Sequence, residues 1–215
     1  MTQDIKRKRT RQLLVDTGYT LMNAYGYHAI SIDRVLQELA ITKGAFYYHF
    51  KNKHEFVAAI IQDRLAPEIT ATFITPLNQR GNPKYIFGDL LEDQLINNKR
   101  LNVPEGSALT NFIISLSYEE NEYDLQGQLK EIYDTWKVAV INLLYRGIED
   151  GHLNRHINTE GVAEFIIHSL EGARTMQRVH AGGTFYNYLE QFKAYFDSMK
   201  VVSEEREMRP YKLVG

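Results

Sequence analysis

The chain has 215 residues, 44% hydrophobic, 24% charged and 12% aromatic, the profile of a folded protein rather than a disordered one. It has no cysteine, which excludes disulfides, thiolate metal sites, cysteine nucleophiles and thiol redox sensing. The net charge of −2 hides a division: residues 1–65 hold ten Lys/Arg against six Asp/Glu, so they carry +4 and the rest −6. Such a split suits a front end that meets a polyanion, or a solvated basic face. No apolar stretch reaches the roughly 18 residues of a membrane span, and the basic start MTQDIKRKRTRQ leads into no uninterrupted apolar run of the secretory kind. A cytoplasmic protein is expected.

Helical periodicity runs throughout, with no sustained period of two. The first helix is predicted from about Ile5 to Tyr25, with Leu14, Thr17, Leu21 and Tyr25 on one face and Gly26 as its left-handed stop. A short second helix follows the N-cap Ser31 and buries Ile32, Val35, Leu36 and Leu39. A third spans Lys43 to Phe50 after the N-cap Thr42. Asn52 and Glu55 have capping-box spacing and open a fourth helix through about Ala66, which Pro67 ends or kinks. Breakers at 75–83, 97–106, 119–124, 150–158 and 181–184 then separate helices near 84–97, 107–118, 125–149, 159–180 and 184–201. The expected fold is all-α with about nine helices. Residues 1–52, or to about 66 with the fourth helix, form an N-terminal three-helix domain. Residues 67–203 form a C-terminal helical domain, and 204–215 a charged tail.

The informative stretch is Ser31 to Lys53, two short helices around a tight turn at Ala40–Thr42. That arrangement reads as a helix-turn-helix, whose second helix enters the major groove of DNA. Phe46 and Phe50, four apart, point inward together, which turns Lys43, Tyr47, Tyr48 and His49 outward. Exposed aromatic side chains of this kind call for a partner to cover them. A duplex supplies one: phenol and imidazole groups donate to phosphate oxygens, while Gly44 and Ala45 add no bulk where the helix start approaches base edges. The start of the helix also offers N–H groups to phosphate, and Lys53 repeats the device with a formal charge.

The run Thr42-Lys43-Gly44-Ala45-Phe46-Tyr47-Tyr48-His49-Phe50-Lys51-Asn52-Lys53 closely resembles the recognition-helix signature of the TetR family of transcription regulators. Gly26 and Ser31 stand where that family has its turn glycine and second-helix cap, and the resemblance covers roughly residues 6–65. It implies that Lys43, Gly44, Ala45 and Tyr47 face bases. Thr42, Tyr48, His49 and Lys53, with Ser31, would hold the phosphate backbone. Beyond this region the resemblance is one of architecture and implies a C-terminal domain that holds a small-molecule pocket and makes the dimer.

In the C-terminal half, residues 184–201 carry Phe185, Tyr188, Leu189, Phe192, Tyr195, Phe196 and Met199 at three-to-four spacing. The preceding helix has a wide apolar arc with small residues in it. A dimer interface is expected from Phe165, Ser169, Gly172, Ala173, Met176, Tyr188, Phe192 and Phe196, with an intrachain core as the plainer reading. Phe87, Leu91, Phe112, Leu116, Tyr133 and Trp136 could line an effector pocket or fill a core. His152 and His156 stand four apart, but Gly151 and Asn154 mark a loop, so no metal site is expected. No phosphate loop, nucleophile elbow or paired-carboxylate site is present, so no catalytic residue and no cofactor are expected. The sequence therefore points to a ligand-responsive transcription regulator, a repressor on a pseudo-palindromic operator, with two other readings: a helical small-molecule-binding protein or enzyme with a vestigial DNA-binding module, and a DNA-binding activator or nucleoid-type protein. Its expected partners are double-stranded DNA, a second copy of itself and an unknown small-molecule effector, with no membrane.

Overall fold

The computed structural model describes residues 3–97, 106–117, 123–176, 179 and 184–201, and these form nine helices without a strand. The expected tail, 204–215, lies outside the described residues, as do parts of the expected breakers at 97–106, 119–124 and 181–184. Helix α1 spans Gln3–Tyr25, α2 Ile32–Leu39 and α3 Lys43–Tyr47. α1 stops where foreseen: Gly26 takes φ 78° and donates its N–H to Met22 O at 2.8 Å, closing the left-handed cap. Of its expected face Leu14 and Leu21 are buried, Thr17 is partly so and Tyr25 is not; Val15, Gly18, Tyr19 and Met22 complete the buried side. Tyr25 is exposed, its ring lying under the Arg34 guanidinium at 4.1 Å. Gly18 sets the axis of packing, since a Cβ there would stand 2.4 Å from the Phe56 ring and 2.6 Å from Ile60.

The turn of the helix-turn-helix is built on Ala40, which adopts φ 52°, ψ 41°. Ala40 N–H donates to Gln37 O and Ile41 N–H to Leu36 O, the paired bonds of a Schellman motif made without glycine. Beneath α3 sits an aromatic cluster: Phe46, Phe50 and Phe56 have ring centroids 5.0–5.6 Å apart and are buried. Each such ring contributes about 1.5–3 kcal/mol through burial, enough to hold a five-residue helix that could not stand alone.

The fourth helix does not end at Pro67. α4 opens as Lys53–Ile60 and continues through a wide turn at Ile61–Leu65, an α turn at Ala66–Ile69, a second wide turn at Thr70–Ile74 and a 3-10 turn at Thr75–Asn78. Pro67 has no N–H, and its ring crowds the carbonyl four residues back. The i→i+5 bond from Ala66 N–H to Ile61 O widens the helix there and lets the chain pass. One continuous rod therefore carries Phe56 and Ile60 against α1 and Phe73 against the C-terminal domain, where Phe73 stacks on Trp136 at 4.8 Å.

That domain comprises α5 (Pro83–Glu92, extended by a wide turn at Asp93–Asn97), α6 (Ala108–Leu116), α7 (Leu125–Glu149), α8 (Thr159–Met176) and α9 (Thr184–Ser198). α7 is its spine and buries Leu129, Ile132, Trp136, Val140, Leu143 and Leu144. α5 meets α9 through Phe87, whose ring lies 6.1 Å from Phe192 and 5.5 Å from Phe196. α6 docks on α1: Asn111 Nδ2 donates to Asn23 Oδ1 at 2.7 Å and to Asn23 O at 3.2 Å, beside the Tyr19–Phe112 ring contact.

Candidate nucleic-acid interface

Each side chain of the interface is placed by a local cap. Ser31 Oγ accepts from Arg34 N–H at 3.1 Å, and Thr42 Oγ1 from Ala45 N–H at 3.4 Å, so both hydroxyls sit at exposed helix starts. Asn52 Oδ1 accepts from Glu55 N–H at 2.8 Å while Glu55 Oε2 accepts from Lys51 N–H at 2.6 Å, a capping box that fixes α4 relative to α3. With Phe46 and Phe50 pinned inside, Tyr47 is 53% exposed and Tyr48 69%. The predicted outward set, Lys43, Gly44, Tyr47 and Tyr48 with the cap Thr42, lies on one open surface, and Ala45 and His49 are partly covered at its edge.

Gly44 is the most telling residue. A Cβ built on it would meet only Thr42 Oγ1, at 3.9 Å, so nothing among the described residues requires glycine there. Glycine inside a helix costs about 1 kcal/mol relative to alanine, and the space it leaves opens outward.

The charged members are held in specific ways. Lys43 Nζ bonds Asp33 Oδ1 at 2.8 Å, and that hydrogen bond, then the carboxylate charge, raises its pKa above the ordinary range. Lys53 Nζ donates to Tyr27 O at 2.7 Å and lies 3.9 Å over the Tyr27 ring, so its charge is anchored to the loop between α1 and α2. Burial, and after it the charges of Arg11 and Arg7, push the His49 imidazole pKa below its usual value, favouring the neutral form.

Residues 14–60 match the model of the family described as bacterial regulatory proteins, tetR family. Residues 14–60 are therefore a domain of the TetR type. It is 36% identical over 98 residues to the transposon Tn10 TetC protein of Escherichia coli, a match covering 44% of this chain and 49% of that one. It is also similar to the HTH-type transcriptional repressor DhaR of Mycobacterium sp. strain GP1, 24% identical over 174 residues, covering 78% of this chain and 81% of DhaR. The chain thus spans about half the length of TetC and about four fifths of DhaR. Its fold is that of a TetR-family transcriptional regulator from Cytophaga hutchinsonii, with TM-score 0.78, 18% identity, and coverage of 92% of this chain and 98% of that one.

Two further basic residues border this surface from outside the TetR-like motif. Arg7 and Arg11 of α1 lie close enough to bear on His49, and the Arg11 guanidinium sits 5.4 Å over the Phe50 ring. Their signal was the basic run from Lys6 to Arg11, which registered only as charge. Arg11 is also bridged to Asp63 at 2.5 Å, which ties α1 to α4 at this edge.

The remaining expected residues fall into two groups. Of the pocket candidates, Phe87, Leu91, Phe112, Leu116 and Trp136 are buried in packed core. Tyr133 lines a cavity of about 500 Å3 between α6, α7 and α8. Among the dimer candidates, Phe165 is 49% exposed and Met176 50%, while a Cβ on exposed Gly172 would meet nothing within 4 Å. Ser169 Oγ and Tyr188 Oη lie 2.9 Å apart, joining α8 to α9 beside this stripe, and Ala173 is partly buried at its edge. Phe192 and Phe196 turn inward onto Phe87 and support α9 from below. The loop with His152 and His156 bonds to itself, Arg155 Nε donating to His156 Nε2 at 3.2 Å, and no cluster of three potential metal ligands occurs among the described residues.

Proposed function

We propose that the chain is a ligand-responsive repressor that binds a pseudo-palindromic operator as a homodimer and releases it when a small-molecule effector occupies the C-terminal domain. The observation that carries the reading is α3: two exposed phenols and an outward-open glycine on a helix braced by buried Phe46 and Phe50. Base-edge readout needs that combination of close backbone approach and hydrogen-bonding tips. Dimerisation is supported by the exposed stripe Phe165, Gly172 and Met176 on α8, because a two-fold protein reads two half-sites a helical turn apart. The protein acts in the cytoplasm, and no described helix is long and apolar enough to cross a membrane.

Release follows from coupling. The rod of α4 and the Asn111–Asn23 joint both run from the C-terminal domain to α1, so a shift of α4 or α6 changes the separation of the two recognition helices. The effector weakens DNA binding only by as much as it prefers the DNA-incompetent shape. Fluorescence anisotropy with a duplex from the promoter beside the protein's own gene tests the reading across a salt series. Specific binding is expected, with Tyr47→Ala about tenfold weaker on that duplex and unchanged on unrelated DNA. Equal affinity for all sequences, or indifference to Tyr47→Ala, would overturn it.

A further inference from the structure

The cavity between α6, α7 and α8 has a lining whose chemistry is specific. Leu109, Leu129 and Ile167 form a buried apolar floor, and Ile113, 42% exposed, flanks it. Its size, about 500 Å3, is within the range of about 300–1,000 Å3 typical of small-molecule sites.

The polar groups on the wall are nearly all committed within the chain. Glu171 accepts from Arg174 at 3.1 Å through Oε1, and from Thr110 at 2.7 Å and Ser107 through Oε2. Lys130 is bridged to Asp134, and Gln126 Nε2 donates to the Leu116 and Ser117 carbonyls at 2.9 Å. Glu171 has its counter-charge in buried Arg174, and Lys130, at the exposed rim, has Asp134, so an ionised ligand gains little there against the water it loses on the apolar floor.

Tyr133 and His168 differ from these. Their rings stack at 5.8 Å and 16°, with Tyr133 Oη and His168 Nε2 3.0 Å apart. If the phenol donates to Nε2, its oxygen can still accept; if Nε2–H donates to the phenol, the phenol hydrogen can still donate. A ligand hydroxyl satisfies either tautomer. Burial, and after it the Glu164 charge, keep the phenol protonated by raising its pKa.

We infer that this cavity takes an uncharged, mostly apolar molecule bearing one hydroxyl-type oxygen, which the Tyr133–His168 pair holds. The inference rests on the effector reading above and names the chemistry of that effector. α6 gives it a route to DNA, since Leu109 and Ile113 line the cavity while Asn111 of the same helix bonds Asn23 of α1.

Isothermal titration of the full-length protein with a naphthalene series tests it: 2-naphthol, 2-methylnaphthalene, 2-naphthoate and 2-naphthylmethylammonium. At pH 7, 2-naphthol is expected to bind at least about tenfold more tightly than either ion, and about fivefold more tightly than 2-methylnaphthalene. Tyr133→Phe should erase the hydroxyl preference and leave 2-methylnaphthalene binding unchanged. Ile113→Trp, at a half-exposed position where the core is not disturbed, should block the whole series while circular dichroism stays that of the wild type. Equal binding of the ions, a hydroxyl preference that survives Tyr133→Phe, or no binding of 2-naphthol would each overturn the inference. Promoter anisotropy on the same samples without ligand reads the regulator assignment separately: intact specific DNA binding beside a failed titration leaves that assignment standing.

Discussion

Gly44→Ala is expected to make the N-terminal domain more stable and its DNA binding weaker. The new methyl group meets only Thr42 Oγ1 at ordinary contact distance, and alanine is favoured over glycine in a helix by up to about 1 kcal/mol. Thermal or denaturant unfolding should therefore shift upward by several tenths of a kcal/mol or more. On the duplex the same methyl group occupies the space through which the start of α3 approaches base edges. Specific affinity should fall about tenfold, and Gly44→Leu should remove sequence preference altogether. A residue kept for folding moves stability and binding together; opposite directions identify one kept for the duplex. Gly44→Ala that loses stability, or that binds specific DNA as well as the wild type, would contradict the role given to this face.

The second large effect concerns α8. Gly172 sits exposed inside an 18-residue helix with no contact among the described residues to justify it, between Phe165 and Met176, both half exposed. Close approach of a second copy is what such a stripe accommodates. Phe165→Glu with Gly172→Arg places charge and bulk on that line and removes one intrachain ring contact, Phe165 to Tyr195 at 4.7 Å. Analytical ultracentrifugation should then show a 25.0 kDa species in place of one twice that mass. Specific DNA affinity should fall by about 10²–10⁴, because two half-sites are no longer engaged by one linked particle. A double variant that stays dimeric would place the interface elsewhere.

Much of this was legible in the chain itself, and the exceptions have physical causes. The positions of Phe46 and Phe50 decide which way Tyr47 and Tyr48 face, because a four-residue spacing sends both phenylalanines to one side of a short helix. Gly26, Ser31, Thr42 and Asn52 act as the caps their side chains suggest. Periodicity does not say which of two apolar arcs faces a neighbour, and so the buried face of α1 runs through Val15, Gly18 and Tyr19, with Tyr25 outside under Arg34. Pro67 is passed through because the backbone widens around it, an adjustment no residue type announces. The large aromatics Phe87, Phe112 and Trp136 fill volume. The cavity instead takes part of its wall from partly buried Thr110 and from Gln126 and His168 at its exposed rim, polar residues that only tertiary packing brings together. Lys53 reads as an available phosphate ligand, whereas its ammonium is fastened to Tyr27.

Tyrosine nitration by tetranitromethane, followed by mass spectrometry with and without a specific duplex, probes the face of α3 with controls inside the same molecule. Tyr47 at the end of α3, its C-cap Tyr48, Tyr85 on α5 and Tyr145 on α7 are all exposed in the protein alone. The duplex is expected to shield Tyr47 and Tyr48 while Tyr85 and Tyr145 react as before. Equal nitration of Tyr47 and Tyr48 in the bound and unbound protein would mean that DNA is held by some other surface.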